Sequence, residues 1–313
     1  MKHKTMERMG TQIVLNIEHV ESEILLEQAD RILEDYEKRF SANHPNSDLM
    51  TINDQSGIDS VHVDSDLFEL IQMGKQYSLS FNGSLNIAIG PLVKLWKIGF
   101  DGAQIPRQVD IDERLELINP NNIELNPESQ SVYLNKKGME IDLGALAKGY
   151  FADRLKQFFM KKGVKNGLID LGGNVLTIGE SPKHADGFWR VGIQQPSINR
   201  GALVGAVLVK NKSVVTSGIY ERFFEMNGKK YHHIFDSATG YPIENNLASV
   251  TIVSNESIHG ELFTTVLFKM SPQEAIQYIE SLPHMDAIII TKEKDILLTK
   301  DIKPYVALFN TSS

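Results

Sequence analysis

The densest run of reactive side chains lies between Thr216 and Pro242. It reads Thr216-Ser217-Gly218-Ile219-Tyr220-Glu221-Arg222, then Tyr231-His232-His233-Ile234-Phe235-Asp236, then Thr239-Gly240-Tyr241-Pro242. Imidazole exchanges protons near neutral pH, and a carboxylate can orient it. The groups needed for proton transfer to or from a hydroxyl are therefore all present. If 231–236 is a strand, alternation puts Tyr231, His233 and Phe235 on one face and His232, Ile234 and Asp236 on the other. The plainer alternative is a polar hairpin with one satisfied core histidine.

Three further clusters have types and spacing that suit chemistry. Ile141-Asp142-Leu143-Gly144-Ala145-Leu146-Ala147-Lys148-Gly149-Tyr150 reads as a strand that ends in glycine and opens a helix. Such a turn presents backbone N–H groups to an anion, and Lys148 adds a cation where the helix dipole disfavours one. A strand–helix turn with a surface lysine fits it equally. Asp170-Leu171-Gly172-Gly173-Asn174 puts paired glycines at a strand end, which serves either a bound ligand or a tight turn. His259-Gly260-Glu261-Leu262-Phe263-Thr264-Thr265 falls on a helix, with Glu261 and Thr265 on one face. Their oxygens are hard ligands suited to Mg²⁺, although an acid near a helix start also simply favours the dipole. No complete Walker loop, GxGxxG, HExxH, GxSxG or EF-hand pattern occurs.

The elements that must position these residues follow from periodicity. Residues 11–18 alternate as a strand, and 21–40 form an amphipathic helix with Ile24, Leu25, Ala29, Ile32, Leu33 and Tyr36 on one face. A polar loop spans 41–48. Asp64 or Ser65 caps a helix that Asn82-Gly83 ends. Short β-like runs within 119–142 predict a small antiparallel sheet, and a helix covers 145–159. Strands are expected at 167–173, 188–193, 203–210, 213–216, 222–226, 230–235 and 249–254, with Asn227-Gly228 marking a hairpin. Helices at 258–270 and 272–281, the second opened by Pro272, precede strands at 286–291 and 296–299 that close the fold. The order is mixed rather than strictly alternating, which favours an α+β class over a doubly wound sheet.

Composition excludes several functions. Of 313 residues, 42% are hydrophobic and 23% charged, which is ordinary for a globular chain. There is no cysteine, so disulfides, thiolate metal sites and a cysteine nucleophile are ruled out. The net charge is −8 with no basic stripe, and Lys161, Lys162 and Lys165 read as a solvated helix end, so no nucleic-acid partner is expected. No apolar run approaches a membrane span, no secretory segment follows Met1-Lys2-His3-Lys4, and a cytoplasmic location without membrane partners is the expectation.

Taken in order, the segments resemble the ApbE family, the FAD:protein FMN transferases. Met9-Gly10-Thr11 looks like the family's opening element, Ser47…Leu49…Asn53 like its SxxxxLN, and Gly90-Pro91-Leu92-Val93…Leu95-Trp96 like its GPLVxLW. The four clusters above match its DLGxxAKG, LGGN, TSGxYER with YHHIxDxxTGYP, and metal-helix elements. The resemblance covers nearly the whole chain. It implies one domain over 1–313 with a mixed α/β fold whose two lobes flank an FAD-binding cleft.

The activity implied is Mg²⁺-dependent transfer of FMN from FAD to a Ser or Thr hydroxyl of an acceptor flavoprotein, with AMP released. By the same resemblance His233 is the base and Asp236 the nearby acid. Glu261 and Thr265 are metal ligands, joined by the backbone carbonyl of Ala145. Lys148, Gly173, Asn174, Ser217, Gly218 and Tyr220 line the FAD site. Three features depart from the family. Glu261 stands where Asp is usual, Leu85-Asn86-Ile87-Ala88 replaces FDPT, and Ser237 replaces a proline. An FAD pyrophosphatase releasing FMN and AMP, and a non-catalytic FAD-binding protein, are the alternatives these departures raise.

Overall fold

The computed structural model describes residues 1–81, 83–196 and 201–309; Asn82, one half of the expected helix stop, lies outside them. In chain order the elements are β1 (Lys2–Arg8), β2 (Thr11–Glu18), α1 (Ser22–Phe40), α2 (Asp48–Asp54), β3 (Val61–His62), α3 (Ser65–Ser80), α4 (Gly90–Trp96), α5 (Gln108–Leu115), β4 (Ile123–Asn126) and β5 (Ser131–Leu134). Next come α6 (Ala147–Lys161), β6 (Asn166–Leu171), β7 (Asn174–Ile178), β8 (Trp189–Gln194), β9 (Leu203–Val209), β10 (Ser213–Gly218), β11 (Phe223–Met226) and β12 (Lys229–His232). The last are β13 (Leu247–Ser254), α7 (Ser257–Val266), α8 (Pro272–Glu280), β14 (Asp286–Thr291), β15 (Ile296–Leu298) and β16 (Val306–Leu308). The chain divides into two units. The first is Met1–Glu34, Lys148–Tyr220 and Asn245–Ser313; the second is Asp35–Ala147 and Glu221–Glu244.

The first unit is built on an eight-stranded sheet in the order β1-β2-β6-β7-β10-β13-β14-β15. Every neighbouring pair in it is antiparallel. Strand β13 is buried at every residue, as a strand covered on both faces must be. On one face Val214, Val253, Ile288 and Ile290 pack with Val191, Val207 and Trp189 of the small sheet β16-β9-β8. On the other, α7 lies on β10 and β13, and Val215 meets Gly260 so closely that an added Cβ would sit 2.4 Å from it. Helix α6 crosses the start of α7 at Gly149, where a Cβ would lie 2.7 Å from both Ile258 Cα and the Ser257 carbonyl oxygen. One turn further along the same face, the Asp153 carboxylate accepts hydrogen bonds from the backbone N–H groups of Ser257 (2.8 Å) and Ile258 (2.9 Å). Glu256 at the N-cap makes no side-chain cap bond, so the cap of α7 comes from another helix.

Two tight turns in this unit interlock. Met9 and Gly10 both have positive φ and join β1 to β2 in a two-residue hairpin. Gly172 and Gly173, also at positive φ, turn β6 into β7. A Cβ on Gly172 would fall 2.2 Å from Thr11 Oγ1, so the second turn closes against the residue that follows the first.

The second unit holds α2, α3, α4, α5, the three-stranded sheet β3-β5-β4 and the hairpin β11-β12. Its core gathers Leu92, Trp96, Ile98, Ile111, Ile118 and Phe235. Trp96 is fully buried and its indole N–H donates to the Gly240 carbonyl at 2.9 Å. Its ring sits among Tyr231, Phe235 and Tyr241.

The mixture of antiparallel sheet and separate helices is the expected α+β class. The structure corrects several details. Strands β1, β3, β7 and β16 and helices α2, α4 and α5 are additional, and β16 rather than β15 is the last element. Strand β12 ends at His232, after which both Ile234 and Phe235 are buried, so the strict alternation stops there. Glu140 makes one isolated bridge to Ile89 rather than a strand. Ile24 is exposed while Leu26 takes its place in the core. Asp64 does stand at the N-cap of α3, but its carboxylate pairs with Arg39 at 3.0 Å and caps nothing. Pro272 opens α8 as expected, helped by a Ser271–Glu274 capping box.

Two predictions follow from this packing. Trp96→Ala removes a buried indole and leaves the Gly240 carbonyl without its donor; the expected cost is about 3–5 kcal/mol in chemical denaturation. Burial pushes the Asp153 carboxyl up to about 6, against the pull of the Ser257 and Ile258 N–H groups. Between roughly pH 4 and 6 the folded state therefore holds a proton that the unfolded chain has lost. Asp153 thus makes stability fall as pH rises through that window and contributes no slope above it. Asp153→Asn should flatten this part of the profile by on the order of 2 kcal/mol, and equal slopes in thermal melts of both proteins would refute the assignment.

Candidate active site

In the first unit, polar side chains converge on the buried face of α7. Glu261 is 5% exposed and Asn174, the first residue of β7, is 1% exposed. The Asn174 amide donates to Glu261 Oε1 at 2.8 Å and accepts from the Ser257 hydroxyl at 2.6 Å. The Glu261 carbonyl accepts from the hydroxyls of Thr264 (3.0 Å) and Thr265 (3.2 Å). Ser217, on β10, donates to Thr264 Oγ1 at 3.0 Å, and the hydroxyls of Thr216 and Thr251 meet at 2.8 Å. Asn174, Ser217, Glu261 and Thr265 are thus brought together around one helix.

Lys148, Gly173, Gly218 and Tyr220 occupy the same unit. Burial raises the Asp170 pKa above its ordinary value, while the Gly173 N–H, bonded to it at 2.8 Å, and the Lys148 charge oppose that rise. The Tyr220 ring lies over Gly218, where a Cβ would fall 2.4 Å from it, so only glycine allows this stacking.

His233, Asp236 and Ala145 belong to the second unit. The His233 ring Nδ1 lies 3.1 Å from the Arg222 carbonyl, which also accepts the His233 backbone N–H. A carbonyl only accepts, so Nδ1 carries the proton and Nε2 is the basic nitrogen. His232 is the buried histidine, with Nε2 on the Ile243 carbonyl at 2.9 Å. Asp236 accepts from Ala238 N–H through its carboxylate and from Gly240 N–H through its carbonyl, which shapes the Thr239-Gly240-Tyr241 turn. Ala145 is exposed in the turn ahead of α6. In that turn burial raises the Asp142 pKa and the Gly144 N–H, 2.7 Å away, lowers it. Asn53 clamps both backbone groups of Ile141, accepting its N–H at 2.7 Å and donating to its carbonyl at 3.1 Å. Ser47 caps α2 through the Met50 N–H.

Glu261 and Thr265 offer a carboxylate and a hydroxyl. Among the described residues no hydrogen bond reaches Glu261 Oε2, and no group of three or more His, Cys, Asp or Glu is placed to hold a metal. One carboxylate supplemented by neutral and substrate oxygens suits Mg²⁺, which keeps waters and binds phosphates, better than Zn²⁺. Asp153, Ser257 and Thr264 are members of this network that the sequence did not single out. Their partners lie far away in the chain, as in the pairing of Asp153 with Ser257, and no local signal marks them.

Comparison with known proteins assigns the family. The model of the ApbE family matches residues 9–289. A Klebsiella pneumoniae (strain 342) FAD:protein FMN transferase is 40% identical over 291 residues, covering 93% of this chain and 89% of that protein. The FAD:protein FMN transferase of Treponema pallidum (strain Nichols) is 34% identical over 284 residues, covering 87% and 78%. Among solved structures, the ApbE protein of Thermotoga maritima superposes with a TM-score of 0.86 at 26% identity, over 97% of this chain and 98% of that one. The similarity runs through both units and includes the segments that carry Glu261 and His233, and the chain belongs to the ApbE family.

Proposed function

We propose that this protein transfers FMN from FAD to a serine or threonine hydroxyl of an acceptor flavoprotein, releasing AMP. The observation that carries the reading is the extended likeness to proteins named FAD:protein FMN transferase. Because the family match crosses both units, the chain works as a single transferase domain.

The roles are those the family resemblance implies, and the chemistry of the residues suits them. The acceptor hydroxyl oxygen forms a bond to the phosphorus of the FMN half of FAD, the pyrophosphate P–O bond breaks, and AMP leaves with the electron pair. His233 takes the hydroxyl proton at Nε2, because Nδ1 is committed to the Arg222 carbonyl. Glu261 and Thr265 would hold Mg²⁺, which would neutralise the charge of the pyrophosphate. Ser217, Gly218, Tyr220, Gly173 and Lys148 contact FAD. Water in place of the acceptor hydroxyl would give free FMN and AMP.

The test is intact-mass measurement of a co-expressed acceptor flavoprotein, which should gain one FMN. EDTA should abolish the gain. His233→Ala, still folded by thermal melting, should slow transfer by about 100-fold or more. Transfer at the wild-type rate in that variant would remove His233 from the base role. Rapid FMN release from FAD without acceptor, together with an unlabelled acceptor, would replace transfer by hydrolysis.

A further inference from the structure

We infer that Asn174, Ser257 and Gly149 form a cradle that fixes the Glu261 carboxylate, so that Asn174 is a positioning residue rather than a flavin contact. This rests on Glu261 as a cation ligand. Asn174 is 1% exposed, and both ends of its amide are occupied inside the protein. Its orientation is chemically determined. A flipped amide would set Oδ1 against a carboxylate oxygen, and two acceptors cannot bond. The Ser257 hydroxyl donates to Oδ1 and is itself fully buried, on a backbone whose N–H group is held by Asp153. The amide is therefore anchored from behind before it reaches Glu261.

The Glu261 side chain is also packed at Gly149. A Cβ there would lie 2.8 Å from Glu261 Cγ, so the glutamate methylene occupies the space that any larger residue at 149 would fill. Oε1 is tethered at 2.8 Å and Cγ is packed, which leaves Oε2 as the oxygen without a hydrogen bond among the described residues. Aspartate is shorter by one carbon–carbon bond, ~1.5 Å, and from the same backbone it would withdraw from the Asn174 amide.

A ligand whose orienting partner is lost typically binds its metal 10–100-fold more weakly. The experiment titrates Mn²⁺, followed by electron paramagnetic resonance in the presence of FAD, into the wild type, Glu261→Gln, Asn174→Ala and Ser257→Ala. FAD affinity is measured separately without metal. Asn174→Ala should weaken Mn²⁺ binding about 10–100-fold, leave metal-free FAD affinity unchanged, and recover turnover at excess Mn²⁺. Ser257→Ala, one bond further away, should show a smaller loss in the same direction and serves if Asn174→Ala does not fold. Wild-type Mn²⁺ affinity in both cradle variants, beside a loss in Glu261→Gln, overturns the positioning role alone. A fall in FAD affinity with Mn²⁺ binding intact makes Asn174 a flavin contact and overturns it too. Wild-type Mn²⁺ affinity in Glu261→Gln overturns the ligand role of Glu261, and the cradle with it.

Discussion

A carboxylate shut away from water on a buried helix face is tolerated only where protein dipoles replace its hydration. Glu261 is in that position, and the one side-chain donor that meets its carboxylate among the described residues is the Asn174 amide. Much of the first unit can be traced from this bond. Asn174 must begin a strand at a fixed height beside β10, and the Gly172-Gly173 turn sets that height. The turn in turn closes against Thr11, which the Met9-Gly10 hairpin delivers to the same edge of the sheet. Three segments that are far apart in sequence thus form one mechanical chain ending at a single carboxylate oxygen.

The second unit solves a different problem, which is to hold a loop rather than a charge. Beyond His232 the strand stops, and the segment to Pro242 has few ladder bonds of its own. Trp96 supplies what the ladder lacks: a hydrogen bond to Gly240 and an aromatic wall against Tyr231, Phe235 and Tyr241. Gly240 has positive φ, and a Cβ there would strike Ile111 at 2.5 Å, so the turn packs only as glycine. The Asp236 carboxylate accepts the Ala238 N–H within the turn, and Asn53 clamps both backbone groups of Ile141. Side chain–backbone clamps of this kind offer fixed geometry where no sheet or helix can supply it.

What the sequence revealed followed the physics that acts locally. The Asn227-Gly228 hairpin, the amphipathic period of α1, the buried 286–291 strand and the Pro272 start each depend on residues within a few positions, and each is present. The β1 strand is rich in Lys, His, Glu and Arg because it is an edge strand with ion pairs to α1, such as Lys4–Asp30 and Arg8–Asp30, so it lacks a hydrophobic alternation to read. Its turn places Met9 at positive φ, where Asn or Gly is the usual signal. Helices α2 and α4 have seven residues each, too short for a period to emerge. The network around Glu261 was legible in residue types and not in roles. Nothing near Asn174 indicates that its amide is spent on a residue 87 positions later.

The departures from the family pattern acquire a physical reading from the same contacts. Asn86 donates to the Ile118 carbonyl at 2.8 Å and accepts the Ala88 N–H at 2.9 Å, so it closes its own loop with the polar groups it has. Ala88 is fully buried, where a hydroxyl would require a partner. Ser237 lies against Gly83, with 3.2 Å between its Cβ and the place a Gly83 Cβ would take. At 261, the additional methylene of glutamate has a prepared place over Gly149 and its carboxylate has a prepared donor. A substitution that merely eroded a site would leave a strained rotamer or an orphaned polar group beside it. Each of these positions instead has polar atoms paired or its volume accommodated.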